Sequence, residues 1–176
     1  DKVVQKQVLS EEKLPIVDYV WFYDNEYYLN KDEIISSIEK FGYPVVVKPA
    51  TLGSSIGIKI AKTKQELDGA INDAIKYDNK IIVEQAVKNL IEVNCAVLGN
   101  YEYQETSFIA EMKLKNEILT FNDKYIGNGS AGKKVSSVKN SSSMDNGDFK
   151  IPASLNEKLT NEVYDLAKKT FRVLNL

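Results

Sequence analysis

A lysine at the end of a short apolar strand is followed by a loop of small residues. Residues 44–49 contain the β-branched run 45–47, continue with Lys48 and end at a proline, which predicts a strand that holds one ammonium group in place. The loop that follows contains Gly53, Ser54, Ser55 and Gly57. Backbone N–H groups and hydroxyls in such a loop can surround phosphate oxygens. The pattern predicts a phosphate-binding site. Its sequence matches neither a Walker A loop nor a dinucleotide fingerprint. The alternative is a hairpin turn beside an exposed lysine.

A second candidate group follows the predicted strand 80–84. That strand ends in Glu84, Gln85, Ala86 and Val87, and Glu92 lies eight residues beyond Glu84. A strand that runs into a hinge between two lobes can offer backbone groups to an adenine edge, and a nearby carboxylate can bind ribose hydroxyls. The alternative is that both glutamates are ordinary solvated charges, as most glutamates are.

The composition restricts the chemistry. The sequence has 176 residues and no histidine, so Ser-His catalysis, Cys-His catalysis and most zinc sites are excluded. With 23 basic and 25 acidic side chains the formal charge is -2, which argues against a nucleic-acid partner. Chemistry in this chain must depend on lysines, carboxylates, hydroxyls, backbone amides and bound metal.

Two features bear on location. No apolar run approaches the roughly 20 residues that a membrane helix needs, so we expect no membrane partner. The single cysteine rules out an intrachain disulfide and favours the reducing cytoplasm. The sequence begins with Asp1 and has no signal-peptide pattern, which is typical of the middle of a longer protein.

Hydrophobic periodicity predicts the elements that must position these residues. We expect helices at 1–13, 30–41, 63–75 and 154–172, with a capping box formed by Thr63 and Glu66. We expect strands at 17–22, 44–49, 58–61, 80–84, 92–98 and 106–113. Residues 121–150 lack periodicity and predict a long functional loop. The prediction is an α+β chain of two lobes, 1–84 and 85–176, hinged near residues 84–87.

These motifs together resemble one family. Lys48-Pro49 with the loop 53–57, then residues 83–85 and then residues 91–99 have the order and spacing seen in D-alanine–D-alanine ligases, which are ATP-grasp enzymes. The opening Asp1-Lys2 is similar to the start of that family's central domain. The resemblance implies an ATP-grasp central subdomain in 1–84 and the beginning of the C-terminal ATP-grasp lobe in 85–176.

The resemblance also implies a role for each matching residue. Lys2 and Lys48 would contact the ATP phosphates, and Ser55 with Gly53 and Gly57 would cover them, while Ser54 would latch the loop. Residues 84–87 would bind adenine, through Glu84, Gln85, Ala86 and the backbone of Val87. Glu92 would hold the ribose. Lys124 and Tyr125 resemble a Lys-Tyr pair on the family's substrate-covering loop, with Lys124 at the terminal phosphate and Tyr125 bound to Ser54.

The implied function is an ATP-dependent ligase that joins two D-alanines through an acyl phosphate for peptidoglycan precursors. The family's Mg²⁺ ligands and catalytic arginine would lie after Leu176, so no metal ligand is assigned, and Arg172 does not match that arginine. The parent protein would be cytoplasmic and homodimeric. Alternatives are another ATP-grasp carboxylate-amine ligase, such as a D-alanine–D-serine ligase, or a non-catalytic nucleotide-binding fragment. D-lactate also stays open as the second substrate.

Overall fold

A computed structural model describes residues 1–112 and 149–176 of the chain. These residues divide into two compact units. The first unit comprises Asp1–Leu90 with Val173–Asn175, and the second comprises Ile91–Arg172 with Leu176. The predicted hinge at residues 84–87 and the division between 84 and 85 stay predictions.

The first unit is built on a four-stranded antiparallel sheet in the order β1-β4-β2-β3. Its strands are β1 Tyr19–Tyr23, β2 Val45–Pro49, β3 Lys59–Ala61 and β4 Lys80–Gln85. Side chains alternate between the two faces of a strand, so Val45 and Val47 point one way while Val46 and Lys48 point the other. The sheet therefore has one strongly apolar face and one mixed face.

Helices cover both faces of this sheet. The apolar face packs against α2 Asp24–Leu29, α3 Lys31–Glu39 and α4 Lys64–Ile75. The buried core on this side includes Tyr27, Ile38, Leu67 and Ile71 from the helices. The mixed face packs against α1 Lys2–Glu11 through Val3, which contacts Ala50 and Ile82. Helix α1 is thereby fixed beside the face that carries Lys48.

The second unit contains short strands and one long helix in its described part. Strands β5 Val93–Asn94, β8 Ala110–Met112 and β9 Phe149–Lys150 form one antiparallel sheet. Strands β6 Val97–Gly99 and β7 Gln104–Thr106 form a hairpin. Helix α5 runs from Glu157 to Val173. No helix in residues 1–112 or 149–176 is long and apolar enough to cross a membrane.

The α+β prediction and the main elements of the first unit are confirmed. The predicted strands 92–98 and 106–113 are wrong as continuous strands, because the chain changes its partner strand near Ala96 and Ser107. Strand β9 lies within the predicted loop 121–150; residues 121–148 of that prediction lie outside the described residues.

Local sequence signals also missed two details of the first unit. The helix α2 was not predicted. The capping box is wrong, since the Thr63 side chain makes no cap hydrogen bond and Glu66 accepts from the backbone N–H of Lys62 at 2.8 Å.

Candidate functional site

Lys48 and Glu84 form an ion pair on the mixed face of the sheet. They lie on the neighbouring strands β2 and β4, where Val46 is opposite Glu84 and Lys48 is opposite Ile82. Lys48 Nζ donates a hydrogen bond to Glu84 Oε2. Glu84 is 7% exposed and is the buried charged residue of the described chain. A buried carboxylate is expected to have a cationic partner, which Lys48 provides.

Helix α1 brings two more lysines to this face. Lys2 and Lys6 are one helical turn apart and so share a side of the helix. The Asp1 carboxylate caps the helix by accepting hydrogen bonds from Val3 N at 2.8 Å and Val4 N at 3.3 Å. Lys6 Nζ lies 3.5 Å from Glu84 Oε1. Glu84 thus contacts an ammonium group with each of its oxygens.

Lys2 connects α1 to the start of the candidate phosphate loop. Its Nζ donates to the carbonyl oxygen of Pro49 at 2.9 Å and to that of Leu52, and its backbone N donates to Ala50 O at 2.9 Å. Burial and then the nearby Lys48 ammonium lower the pKa of Lys2 from its usual value. Two cations held this close favour the arrival of an anion.

The loop between β2 and β3 has left-handed backbone at several positions. Ser54 has φ 53°, Ser55 has φ 60° and Gly57 has φ 70°. Gly57 is required by space as well, since a Cβ there would lie 2.7 Å from Pro49 Cγ and 2.8 Å from a ring atom of Tyr77. Backbone of this kind can turn successive N–H groups toward an anion.

Asp78 anchors the beginning of this loop. Its Oδ2 accepts from Thr51 N and Thr51 Oγ1, each at 2.7 Å, and its Oδ1 accepts from Lys80 N at 3.1 Å. Burial raises the pKa of Asp78, but these hydrogen bonds and the Lys2 charge outweigh burial, so its pKa lies below the usual value. The loop is therefore tied to the sheet by an ionised carboxylate.

Hydrogen bonds hold the residues after Glu84 against other segments of the first unit. Gln85 N donates to Asp18 O at 2.9 Å, and Gln85 Nε2 donates to Phe41 O at 3.0 Å. Ala86 N donates to Pro44 O at 3.1 Å, whereas the Val87 side chain is 54% exposed. The structure places the predicted adenine-binding residues at the end of β4, with Glu84 and Gln85 in the strand and Ala86 and Val87 directly after it.

Other predicted site residues lie elsewhere. Glu92 belongs to the second unit, where its carbonyl oxygen accepts a hydrogen bond from Met112 N at 2.8 Å. Lys124 and Tyr125 lie outside the described residues. Residues 1–112 and 149–176 contain no group of three or more His, Cys, Asp or Glu side chains that could hold a metal ion.

Sequence reasoning missed Lys6, Asp78 and Lys80. Lys80 Nζ lies 2.9 Å from Asp1 Oδ2 and 4.8 Å from the centre of the Trp21 ring, and so supports the start of α1. The spacing of four residues between Lys2 and Lys6, and the even spacing between Lys80 and Glu84, were available signals. They place Lys2 with Lys6 on one side of a helix and Lys80 with Glu84 on one face of a strand, but the packing of α1 on the sheet is what brings the two sets together.

Comparisons with known proteins show what the chain as a whole is similar to. The family model described as "D-ala D-ala ligase C-terminus" matches residues 8–176. The D-alanine--D-alanine ligase of Thermosipho africanus is 37% identical over 174 residues, which cover 99% of this chain and 42% of that protein. The enzyme of the same name from Caldicellulosiruptor bescii is 38% identical over 174 residues, 98% of this chain and 43% of that protein.

Solved structures show the same relationship. The VanG D-Ala:D-Ser ligase from Enterococcus faecalis has a TM-score of 0.72 and 26% identity, over 99% of this chain and 45% of that one. The D-alanine-D-alanine ligase from Helicobacter pylori has a TM-score of 0.63 over 97% of this chain and 42% of that one, and at 19% identity it shows the fold alone. The chain spans less than half the length of these relatives. Its fold is that of the ATP-grasp ligases, and the chain belongs to the D-alanine–D-alanine ligase family.

Proposed function

We propose that this chain supplies the ATP-binding part of a D-alanine–D-alanine ligase. The observation that carries the proposal is the cluster of Lys2, Lys48 and Glu84 beside the loop 51–57, in a chain that belongs to this family. Lys2 and Lys48 contact the ATP phosphates, and the loop residues Gly53, Ser54, Ser55 and Gly57 cover them. Positive charge and backbone N–H groups suit a triphosphate, whose negative charge must be offset for phosphoryl transfer.

The proposed binding site for the adenosine part of ATP is built from the neighbouring residues. Glu84, Gln85, Ala86 and Val87 bind adenine at the end of β4, and Glu92 binds the ribose. Support for this step comes from the contact between Glu84 and Lys48, from the position of residues 85–87 directly after Glu84, and from the family relationship. Lys124 at the terminal phosphate and Tyr125 at Ser54 complete the proposed set.

The proposed reaction has two steps. ATP phosphorylates the carboxylate of one D-alanine, and the amine of a second D-alanine attacks the acyl phosphate and releases phosphate. The chain's own lysines position the phosphates, and the closed loop excludes water that would hydrolyse the acyl phosphate. Mg²⁺, which the family implies, would offset charge on the phosphates. We assign it no ligand among the described residues.

A second candidate substrate is D-serine. The structural similarity to a protein described as a D-Ala:D-Ser ligase favours keeping this alternative. The nucleotide site proposed above is the same for both ligases. A non-catalytic nucleotide-binding role for this chain alone also needs only that site.

The proposal includes a cytoplasmic parent protein that forms a homodimer and has no nucleic-acid or membrane partner. Its support is the single cysteine, the near-neutral charge balance and the family relationship. Size-exclusion chromatography with light scattering on a full-length relative of this chain would test the homodimer.

The test of the nucleotide site is titration of the chain with ATP and Mg²⁺ by calorimetry. We expect saturable binding that Lys48→Ala weakens about 10- to 100-fold, since charge-assisted hydrogen bonds contribute about 1.5–3 kcal/mol. The matched control is Lys64→Ala, because Lys64 also pairs with a glutamate, Glu39 at 3.1 Å, but lies at the surface. Equal binding by Lys48→Ala and Lys64→Ala would contradict the proposal.

A further inference from the structure

We infer that Lys6 is a positioning residue of the nucleotide site, which holds the Glu84 carboxylate when Lys48 turns from Glu84 to a phosphate of the nucleotide. This inference rests on the proposed function. It concerns an exchange of ion pairs. Lys48 pairs with Glu84 in the structure and would pair with a phosphate when the nucleotide is bound. Lys6 stays with Glu84 in both.

The two lysines differ in their access to solvent. The side chain of Lys48 is 22% exposed, and that of Lys6 is 13% exposed. Each contacts a different oxygen of Glu84, Lys48 at Oε2 and Lys6 at Oε1. Lys48 can therefore leave one oxygen without disturbing the contact at the other. As the more open of the two cations, it is the one available to a ligand.

Lys6 is held in place by contacts that need no ligand. Helix α1 is fixed by the buried Val3 and by the hydrogen bonds of Lys2 to Pro49 and Leu52. The Lys6 ammonium lies 5.3 Å from the centre of the Tyr19 ring, a distance typical of a cation–π contact. Tyr19 is directly opposite Glu84 in the register of β1 and β4, so Lys6 lies over this pair of residues.

Without Lys6 the exchange would be unfavourable. Glu84 is 7% exposed, so water cannot replace a lost partner at full strength. When Lys48 leaves, the carboxylate would be buried without a counter-ion. With Lys6 present, the carboxylate keeps one ammonium group, and Lys48 is released at lower cost. Lys6 thereby increases nucleotide affinity without contacting the nucleotide.

The test is a double-mutant cycle in which ATP binding to the whole chain is measured by calorimetry. The proteins are the unaltered chain, Lys6→Gln, Lys6→Arg, Glu84→Gln and the double variant Lys6→Gln/Glu84→Gln. We expect Lys6→Gln to weaken ATP binding about tenfold, near the lower end of the coupling energies measured for close charge pairs, and Lys6→Arg to retain most of the affinity. In the Glu84→Gln background we expect Lys6→Gln to change the affinity less than about twofold, because coupled residues are not additive.

Lys64→Gln is the matched control, since it also removes one lysine from a Lys–Glu pair, and we expect it to leave ATP affinity unchanged.

If circular dichroism shows that Lys6→Gln does not fold, Lys6→Met replaces it, because the methionine stem can still cover Tyr19. An equal loss with and without Glu84 would mean that Lys6 contacts the phosphates directly and would overturn the inference. Binding unaffected by Lys6→Gln would overturn it too. No saturable binding by the unaltered chain would overturn the proposed function and this inference with it.

Discussion

Lys2 is a residue of the candidate site whose charge depends on its surroundings. Its ammonium is partly buried, lies near the Lys48 charge and donates to two carbonyl oxygens. Burial and the second cation lower its pKa, while Glu84 and Asp78 oppose that shift. A bound triphosphate would favour the charged form. Nucleotide binding and protonation of Lys2 are therefore coupled.

This coupling predicts opposite pH dependences for affinity and stability. Because the phosphates bind the charged form, ATP affinity should fall as the pH rises through the lowered pKa of Lys2. The free energy of unfolding should instead rise between that pKa and 10.5, since folding disfavours the charged lysine in this range. Calorimetry and urea unfolding on the chain and on Lys2→Arg would measure both. If Lys2→Arg lost affinity at the same pH as the unaltered chain, another group would be responsible.

At the scale of single residues, the sequence singled out Lys48 and Glu84 because they stand in motifs. Lys48 and Glu84 end neighbouring strands in a recognisable order, and the structure pairs them. Lys6 could not be singled out in the same way, because a lysine on a polar helix is usually a solvated charge. Its contact with Glu84 depends on how α1 packs on the sheet, which is a tertiary feature.

Among the elements, the loop between β2 and β3 depends on the glycine at position 57. Gly57 combines φ 70° with contacts that leave no room for a side chain. Gly57→Ala should lower the free energy of unfolding by at least about 2 kcal/mol, because it adds a left-handed alanine and a clash with Pro49 and Tyr77. It should also weaken ATP binding, since the loop must shift. Thermal denaturation and calorimetry would measure the two effects.

Gly69→Ala is the matched control for that substitution. Gly69 lies in the exposed part of α4, and a Cβ there meets no atom within 4 Å. Alanine should stabilise the helix by about 0.8–1 kcal/mol, because glycine is the weaker helix former. If Gly57→Ala and Gly69→Ala destabilised the chain to the same extent, the contacts around Gly57 would not explain the effect of Gly57→Ala.

Elements with a strong hydrophobic period were predictable, and elements whose form depends on a partner were not. The period in α4 and the β-branched run in β2 fix their type locally, and both were predicted to within a few residues. In contrast, β5 and β6 lie in one apolar stretch of sequence and pair with different strands. A local pattern cannot show where the chain changes its partner.

At the scale of the whole molecule, the buried side chains of residues 1–112 and 149–176 lie mostly in the first unit. The first unit buries apolar side chains from three helices and the sheet. Within the described part of the second unit, Ile109 is the residue classed as buried, at 3% exposure. Helix α5 has no buried residue. Because burial is the main stabilising term, we expect the backbone of the first unit to open less often than the described strands and helix of the second.

Hydrogen exchange followed by mass spectrometry should show this difference. We expect the slowest amides in β2, β4 and α4, where backbone hydrogen bonds lie beside buried apolar side chains. Amides of β6, β7 and α5 should exchange faster. ATP with Mg²⁺ should slow exchange in the loop 51–57 more than in α4, whose amides are already protected. Faster exchange in β4 than in β6 would contradict this order of stability.

The position of Trp21 gives the first unit its own optical signal. Trp21 is the single tryptophan of the sequence, it is 38% exposed, and it lies beneath Lys80 and edge-on to Tyr23 at 5.8 Å. An indole between a cation and a phenol ring changes its emission when those neighbours separate. Intrinsic fluorescence excited at the red edge of indole absorption will therefore follow the unfolding of the first unit alone. Circular dichroism follows the helices of both units, so the two signals together can separate their transitions without any label.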